Sequence, residues 1–119
     1  MRLKRFLATG LLFVVAATEA EAHAFLVKSD PKVGAAVAKP AVVRLEFSEA
    51  IELGFSGVDV ANAAGGAIAL NGVRFADDGH KVLLADLPMM GPGLYRVKWH
   101  VVSVDTHRTE GDFNFTVKP

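Results

Sequence analysis

The sequence contains no cysteine, which removes disulfide bonds, thiolate nucleophiles and thiolate metal ligands together. An excess of either charge is also lacking, since 13 Lys and Arg face 13 Asp and Glu. A polyanion-binding surface needs a strong basic surplus, so no nucleic-acid partner is expected. Long hydrophobic runs are missing too. The longest uncharged apolar stretch, Phe6 to Ala17, has 12 residues, against the roughly 20 that a membrane-spanning helix requires.

That short run has a different explanation. Met1-Arg2-Leu3-Lys4-Arg5 is a basic leader, Phe6 to Ala17 an apolar centre, and Ala20-Glu21-Ala22 a small-x-small cleavage pattern. Together they predict a secretory signal peptide over residues 1–22, removed after Ala22. The product expected is a single folded domain over residues 23–119, exported and without stable membrane insertion. At 97 residues it is large enough to be stable on its core alone, so the missing disulfides are no obstacle.

In the remaining sequence the hydrophobic period is two. Val43, Leu45 and Phe47 alternate with Arg44, Glu46 and Ser48, which puts the apolar set on one strand face and the polar set on the other. Tyr95, Val97, Trp99 and Val101 repeat the pattern against Arg96, Lys98 and His100, as do Phe113, Phe115 and Val117 against Asp112, Asn114 and Thr116. Shorter strands are predicted over Phe25–Lys28, Gly57–Val60, Ala67–Leu70 and Lys81–Leu84. Turn-forming pairs separate them: Asp30-Pro31, Gly65-Gly66, Asn71-Gly72, Asp78-Gly79 and Pro92-Gly93. Ala35 to Ala38 can make one helical turn before Pro40 stops it. About seven short strands predict an all-β fold, an antiparallel β-sandwich.

Four histidines fall in the expected product: His23, His80, His100 and His107. Cleavage after Ala22 would give His23 a free α-amine beside its imidazole, and the two can chelate one metal through the amine nitrogen and Nδ1. Such a pair suits Cu(II), which favours tetragonal nitrogen and oxygen surroundings. Further along, Asp105 and His107 occupy positions i and i+2 of Ser103-Val104-Asp105-Thr106-His107, so in an extended chain both point the same way. Joined to His23 they make a set of three nitrogens and one oxygen, fit for a square-planar Cu(II) site. Taken alone, D-x-H also suits a solvated strand-end loop. His100 on a polar face and His80 in a turn read as solvated residues, and Trp99 reads as core. Ser48 and Ser103 lack the G-x-S-x-G setting of a hydrolase nucleophile.

With these residues in view, the chain resembles the copper-resistance protein family CopC, periplasmic copper binders with an immunoglobulin-like or cupredoxin-like β-sandwich. The likeness is carried by His23 with Ser29-Asp30-Pro31, by Leu45-Glu46-Phe47-Ser48-Glu49, and by Pro92-Gly93-Leu94-Tyr95-Arg96-Val97-Lys98-Trp99. Val102-Ser103-Val104-Asp105-Thr106-His107 and Gly111-Asp112-Phe113-Asn114-Phe115-Thr116-Val117 extend it. The resemblance implies a Greek-key sandwich and one Cu(II) ion held by His23, Asp105 and His107, with Glu49 beside the metal as an axial or neighbouring contact. It also implies copper sequestration, trafficking or resistance in the periplasm, without catalysis, and an inner-membrane copper transport protein as partner.

One feature of some family members is missing. Their Cu(I) site uses a methionine-rich loop, yet Leu53 to Val73 contains neither Met nor His. The adjacent Met89 and Met90 do not reproduce that loop and read as packing residues. A second functional class is an oxidative enzyme with a histidine brace, resembling polysaccharide monooxygenases. Those enzymes use the amine and two imidazoles, whereas a carboxylate here takes one position and favours holding Cu(II). Blue-copper electron transfer needs a Cys ligand and is excluded.

Overall fold

The computed structural model describes residues 24–119; the expected signal peptide and His23 lie outside the described residues. Eight strands form, in the order β1 (Leu26–Asp30), β2 (Ala36–Val37), β3 (Val42–Phe47), β4 (Gly57–Asn62), β5 (Gly72–Phe75), β6 (Val82–Asp86), β7 (Gly93–Val102) and β8 (Arg108–Val117), with a 3₁₀ turn at Leu53–Phe55. They make two four-stranded sheets, β1-β3-β6-β5 and β2-β8-β7-β4. All the pairings are antiparallel except that of β2 with β8. Among the described residues no helix is long and apolar enough to cross a membrane.

Period-two alternation decides which side chains meet between the sheets. Val43, Leu45 and Phe47 of β3 face Tyr95, Val97 and Val101 of β7 and Phe113, Phe115 and Val117 of β8, and all of them are buried. Burying a side chain of this size stabilises by about 1.5–3 kcal/mol relative to leaving it in water, and two facing sheets sum many such contributions. Trp99 shares their parity but is only partly buried. Its ring meets Phe47 edge-on at 5.2 Å between centroids. Gly111 lies opposite it in the register, and a Cβ there would stand 2.7 Å from the indole. A side chain there would collide with the ring, so a glycine is required for the indole to keep its place.

Two expected elements differ. Ala67–Leu70 is not a strand: Ala67 forms a single bridge to Ala61 and the Ile68 N–H reaches the Val60 carbonyl, after which the chain leaves the sheet. The strand forms later, at Gly72–Phe75, where Arg74 clasps Asp86 of β6 through Nε at 3.0 Å and Nη2 at 3.1 Å. Ala35 to Ala38 makes no helical turn. Its centre is β2, parallel to β8, because the Ala35 and Val37 carbonyls accept the N–H groups of Thr116 and Lys118.

Candidate metal centre

At one pole of the sandwich β7 ends at Val102, β8 begins at Arg108, and residues 103–107 join them. The joint is tight. The Ser103 N–H donates to the His107 carbonyl at 2.8 Å, and the Thr106 N–H to the Ser103 carbonyl at 2.8 Å. Closing so short a loop puts Thr106 at φ 74°, in the left-handed region that β-branched residues avoid. A conformation of that kind costs about 1–3 kcal/mol and persists where surrounding bonds over-determine it.

The bond supplier is Ser103. Its residue is buried, with 1% exposure, in a loop whose next four residues are exposed. The Ser103 hydroxyl accepts the His107 N–H at 3.2 Å and donates to Asp105 Oδ1 in a short hydrogen bond. Asp105 Oδ1 in turn stands 3.3 Å from His107 Nδ1. The Asp105 carboxyl is held below its ordinary range, first by the Ser103 hydrogen bond; partial desolvation opposes this, and the His107 ring adds to it. The carboxyl and the imidazole are each about half exposed, with 47% and 49% of their side-chain surfaces open to solvent.

Three other segments converge on this loop. The Val104 N–H donates to the Ala50 carbonyl at 3.1 Å, and the Glu52 N–H to the Val102 carbonyl at 2.8 Å. These bonds fasten the bend that carries Glu49. The Phe25 N–H donates to the Ser48 hydroxyl at 2.8 Å, while the Ser48 N–H returns a bond to the Phe25 carbonyl. Thr109 Oγ1 donates to the carbonyl of fully buried Ala24 at 2.8 Å.

Of the residues singled out from sequence, Asp105 and His107 are brought together. Glu49 is exposed on the adjoining bend, and among the described residues no group of three His, Asp or Glu side chains gathers that could hold a metal. His23 falls outside the described residues. His100 covers Gly57 on the outer face of its sheet, and His80 stacks on Phe75 at 4.2 Å in a turn. The residue that sequence reasoning missed is Ser103, which was weighed only as a nucleophile. A signal was present: Ser103 continues the inward parity of Val97, Trp99 and Val101. A polar group at an inward position must find hydrogen-bond partners.

A small β-sandwich with a carboxylate and an imidazole side by side at one pole, and no thiolate in the chain, is the class of protein that the fold and this loop define. Comparison with known proteins makes this specific. Residues 26–118 match the model of the CopC domain. The chain is 39% identical to Protein YobA of Escherichia coli (strain K12) over 99 residues, covering 82% of this chain and 80% of that protein. It is 32% identical to Copper transport protein CutJ of Bacillus subtilis (strain 168) over 120 residues, 98% of this chain but 22% of CutJ. The crystal structure of PcoC, a methionine-rich copper resistance protein from Escherichia coli, superimposes with a TM-score of 0.75 at 34% identity, over 82% of this chain and all of PcoC. The chain belongs to the CopC family. It is a copper-binding protein and not an enzyme.

Proposed function

We propose that the protein holds one Cu(II) ion in the periplasm, after cleavage behind Ala22, for sequestration or delivery. The ligands in this reading are the α-amine and Nδ1 of His23, the Asp105 carboxylate and the His107 imidazole, with Glu49 adjacent. The observation that carries it is the convergence at one pole. Ala24 is covalently joined to His23 and is pinned to Thr109, two residues from His107. Ala24 is thereby held beside the D-x-H loop, which supports a ligand set that includes the residue before it. An Asp105 carboxyl that stays ionised well below neutral pH supplies the anionic oxygen that a divalent ion prefers. As partner we propose an inner-membrane copper transport protein, which is supported by CutJ, a copper transport protein of which a CopC-like part is about a fifth.

The chelate requires processing. In the precursor the His23 nitrogen is a peptide amide with no lone pair to give. Cleavage turns it into an amine of pKa about 8, whose proton a metal can displace. Protein beginning at His23 should therefore bind Cu(II) more tightly than protein extended by one Gly, by at least about tenfold, or ~1.4 kcal/mol. Competition titrations at fixed pH measure this, and electron-spin resonance should show type-2 Cu(II) with nitrogen couplings in the unextended form alone. Equal affinities would remove the amine from the ligand set.

A further inference from the structure

The chain balances 13 basic residues against 13 acidic ones, but the two poles of the sandwich do not share them evenly. The pole of Asp105 and His107 is made by residues 24–25, 48–56, 76–81 and 103–107. The third of these segments is fastened to the second by the Phe47 N–H, which donates to the Lys81 carbonyl at 2.8 Å, and the Ile51 N–H, which donates to the His80 carbonyl at 3.0 Å. These segments hold five carboxylates, Glu49, Glu52, Asp77, Asp78 and Asp105, against one lysine, Lys81. Arg108, which opens β8, is engaged by Glu110 at 3.0 Å. At the far pole, residues 31–41, 62–71 and 87–92 hold Lys32 and Lys39 and no Asp or Glu, and Lys118 follows β8 there.

Four large apolar side chains stand in solvent at the acidic pole: Phe25 at 48% exposure, Leu53 at 37%, Phe55 at 69% and Val104 at 55%. Exposed hydrophobic residues scattered singly are ordinary, but these belong to segments bonded to one another. Phe25 exchanges bonds with Ser48, the Val104 N–H donates to Ala50, and the Glu52 N–H donates to Val102. The 3₁₀ turn at Leu53–Phe55 contains no buried residue, so its two apolar side chains do not serve the core. Nor is the turn loose. The Phe55 N–H donates to the Glu52 carbonyl at 3.1 Å, while the Ser56 hydroxyl donates to that carbonyl at 2.7 Å and accepts the Val102 N–H at 3.1 Å. A backbone already tied to β7 lowers the ordering cost of a contact made through Phe55.

We propose that this face docks a protein whose contact surface is apolar at its centre and lined with Lys and Arg. Apolar anchors within a polar rim are the common anatomy of protein–protein contacts. The carboxylates around Phe55 and Val104 repel an acidic surface and steer a basic one, and the lysines at the far pole turn the molecule so that this face leads. The proposal rests on the reading of this pole as the copper site and deepens it, by giving the chemistry of the protein that exchanges copper there.

Two synthetic amphipathic peptides, equal in Leu and Phe but one carrying Lys and the other Glu, test it when titrated into copper-free, nitrogen-15-labelled protein. The Lys peptide should shift the amides of residues 48–56 and 103–107 and bind at least about tenfold more tightly than the Glu peptide, with an advantage that shrinks as salt rises. Phe55→Ser should weaken its binding by about fivefold or more, and Glu52→Gln by about twofold. Both side chains are exposed, so both variants should fold. Equal binding of the two peptides overturns the proposal, as does undiminished binding by Phe55→Ser or a set of shifts centred on Met89 and Met90. Shifts of the same amides with protein concentration alone would assign the face to a second copy of this chain, and shifts with phosphatidylcholine vesicles would assign it to lipid; either result overturns the proposal. Copper separates the two ideas. Phe55→Ser should keep its Cu(II) affinity while losing the peptide, and His107→Ala should lose copper while keeping the peptide. Copper affinity undiminished in His107→Ala would sink the copper reading and leave the peptide result to stand by itself.

Discussion

The two ends of β7 carry the two sets of residues that could attract copper, and they are built differently. At the Val102 end, four segments are stitched together by backbone and hydroxyl bonds, and a buried serine ties the Asp105 carboxyl to the His107 backbone N–H. At the Gly93 end, about 30 Å away along the ten-residue strand, the loop from Leu87 to Pro92 carries Met89 and Met90. Met89 is 98% exposed, and Met90 is half-buried against the core. Residues 39–41 lie beside these thioethers, and the Leu87 N–H donates to the Ala41 carbonyl at 2.9 Å, but the hollow they share is lined by no carboxylate and no imidazole. On the proposed reading, the end whose side chains are already held by other bonds is the better placed to bind, because ordering long side chains at the moment of binding costs about 0.5–1.5 kcal/mol each.

The contrast can be broken most forcefully at the stitched end. His107→Ala and Asp105→Ala should each weaken Cu(II) binding by at least about tenfold, ~1.4 kcal/mol, with the fold intact because both side chains are exposed. Affinity that survives both, measured by competition, would return the loop to an ordinary turn. The loose end has a fastening of its own, the hydrogen bond that the Tyr95 hydroxyl donates to the Gly91 carbonyl at 2.8 Å. Tyr95→Phe should cost about 1 kcal/mol in denaturant unfolding and leave Cu(II) affinity unchanged.

A smaller effect separates the ends by pH. Asp105 has a folded pKa below its unfolded one, so its anion stabilises the folded state above the ordinary carboxylate value of about 3.9. That stabilisation is lost as pH falls through the lower folded value. Copper-free protein should thus show a steeper drop of its thermal midpoint below about pH 4 than Asp105→Asn does; identical profiles would mean the Ser103 bond does not hold in solution. The smallest effect belongs to the methionines. Replacing Met89 and Met90 together by Leu should leave Cu(II) affinity where it was, and a Cu(I) chelator should outcompete the wild-type protein. A one-to-one Cu(I) complex that withstands the chelator and vanishes in the double variant would make the loose end a site after all.

Much of the sandwich was legible because burial on one face imposes a period of two. Val43 to Phe47, Tyr95 to Val101 and Phe113 to Val117 are strands with the inward sets expected of them. The pattern did not decide between strand and loop at Ala67–Leu70: Ile68 and Leu70 do pack against the core while Ala67 and Ala69 are exposed, but the backbone makes only the bridge to Ala61 and the bond to Val60, whereas Val73 and Phe75, flanking Arg74, lie in the ladder beside β6. The two-residue β2 is invisible to any periodicity, since only the edge of β8 makes it a strand. Asp105 and His107 do stand side by side, though not through the extended chain their spacing suggested: residues 104–106 turn, with Thr106 in the left-handed region, and this folds the loop back so that Ser103 meets both Asp105 and His107. An extended chain would have kept them apart.

The register of the last two strands also says where the molecule can be held. Val117 pairs with Gly93, and Arg108 with Val102, so β8 starts beside Asp105 and His107 and runs the length of the sandwich away from them. Pro119 therefore emerges at the methionine end. A purification handle, dye or surface linkage attached there stands a whole strand length from the Asp105–His107 loop. Immobilised through Pro119, the protein would present the Asp105–His107 loop outward, all copies in one orientation, which on the proposed reading suits it to serve as a capture layer for copper in flowing solution.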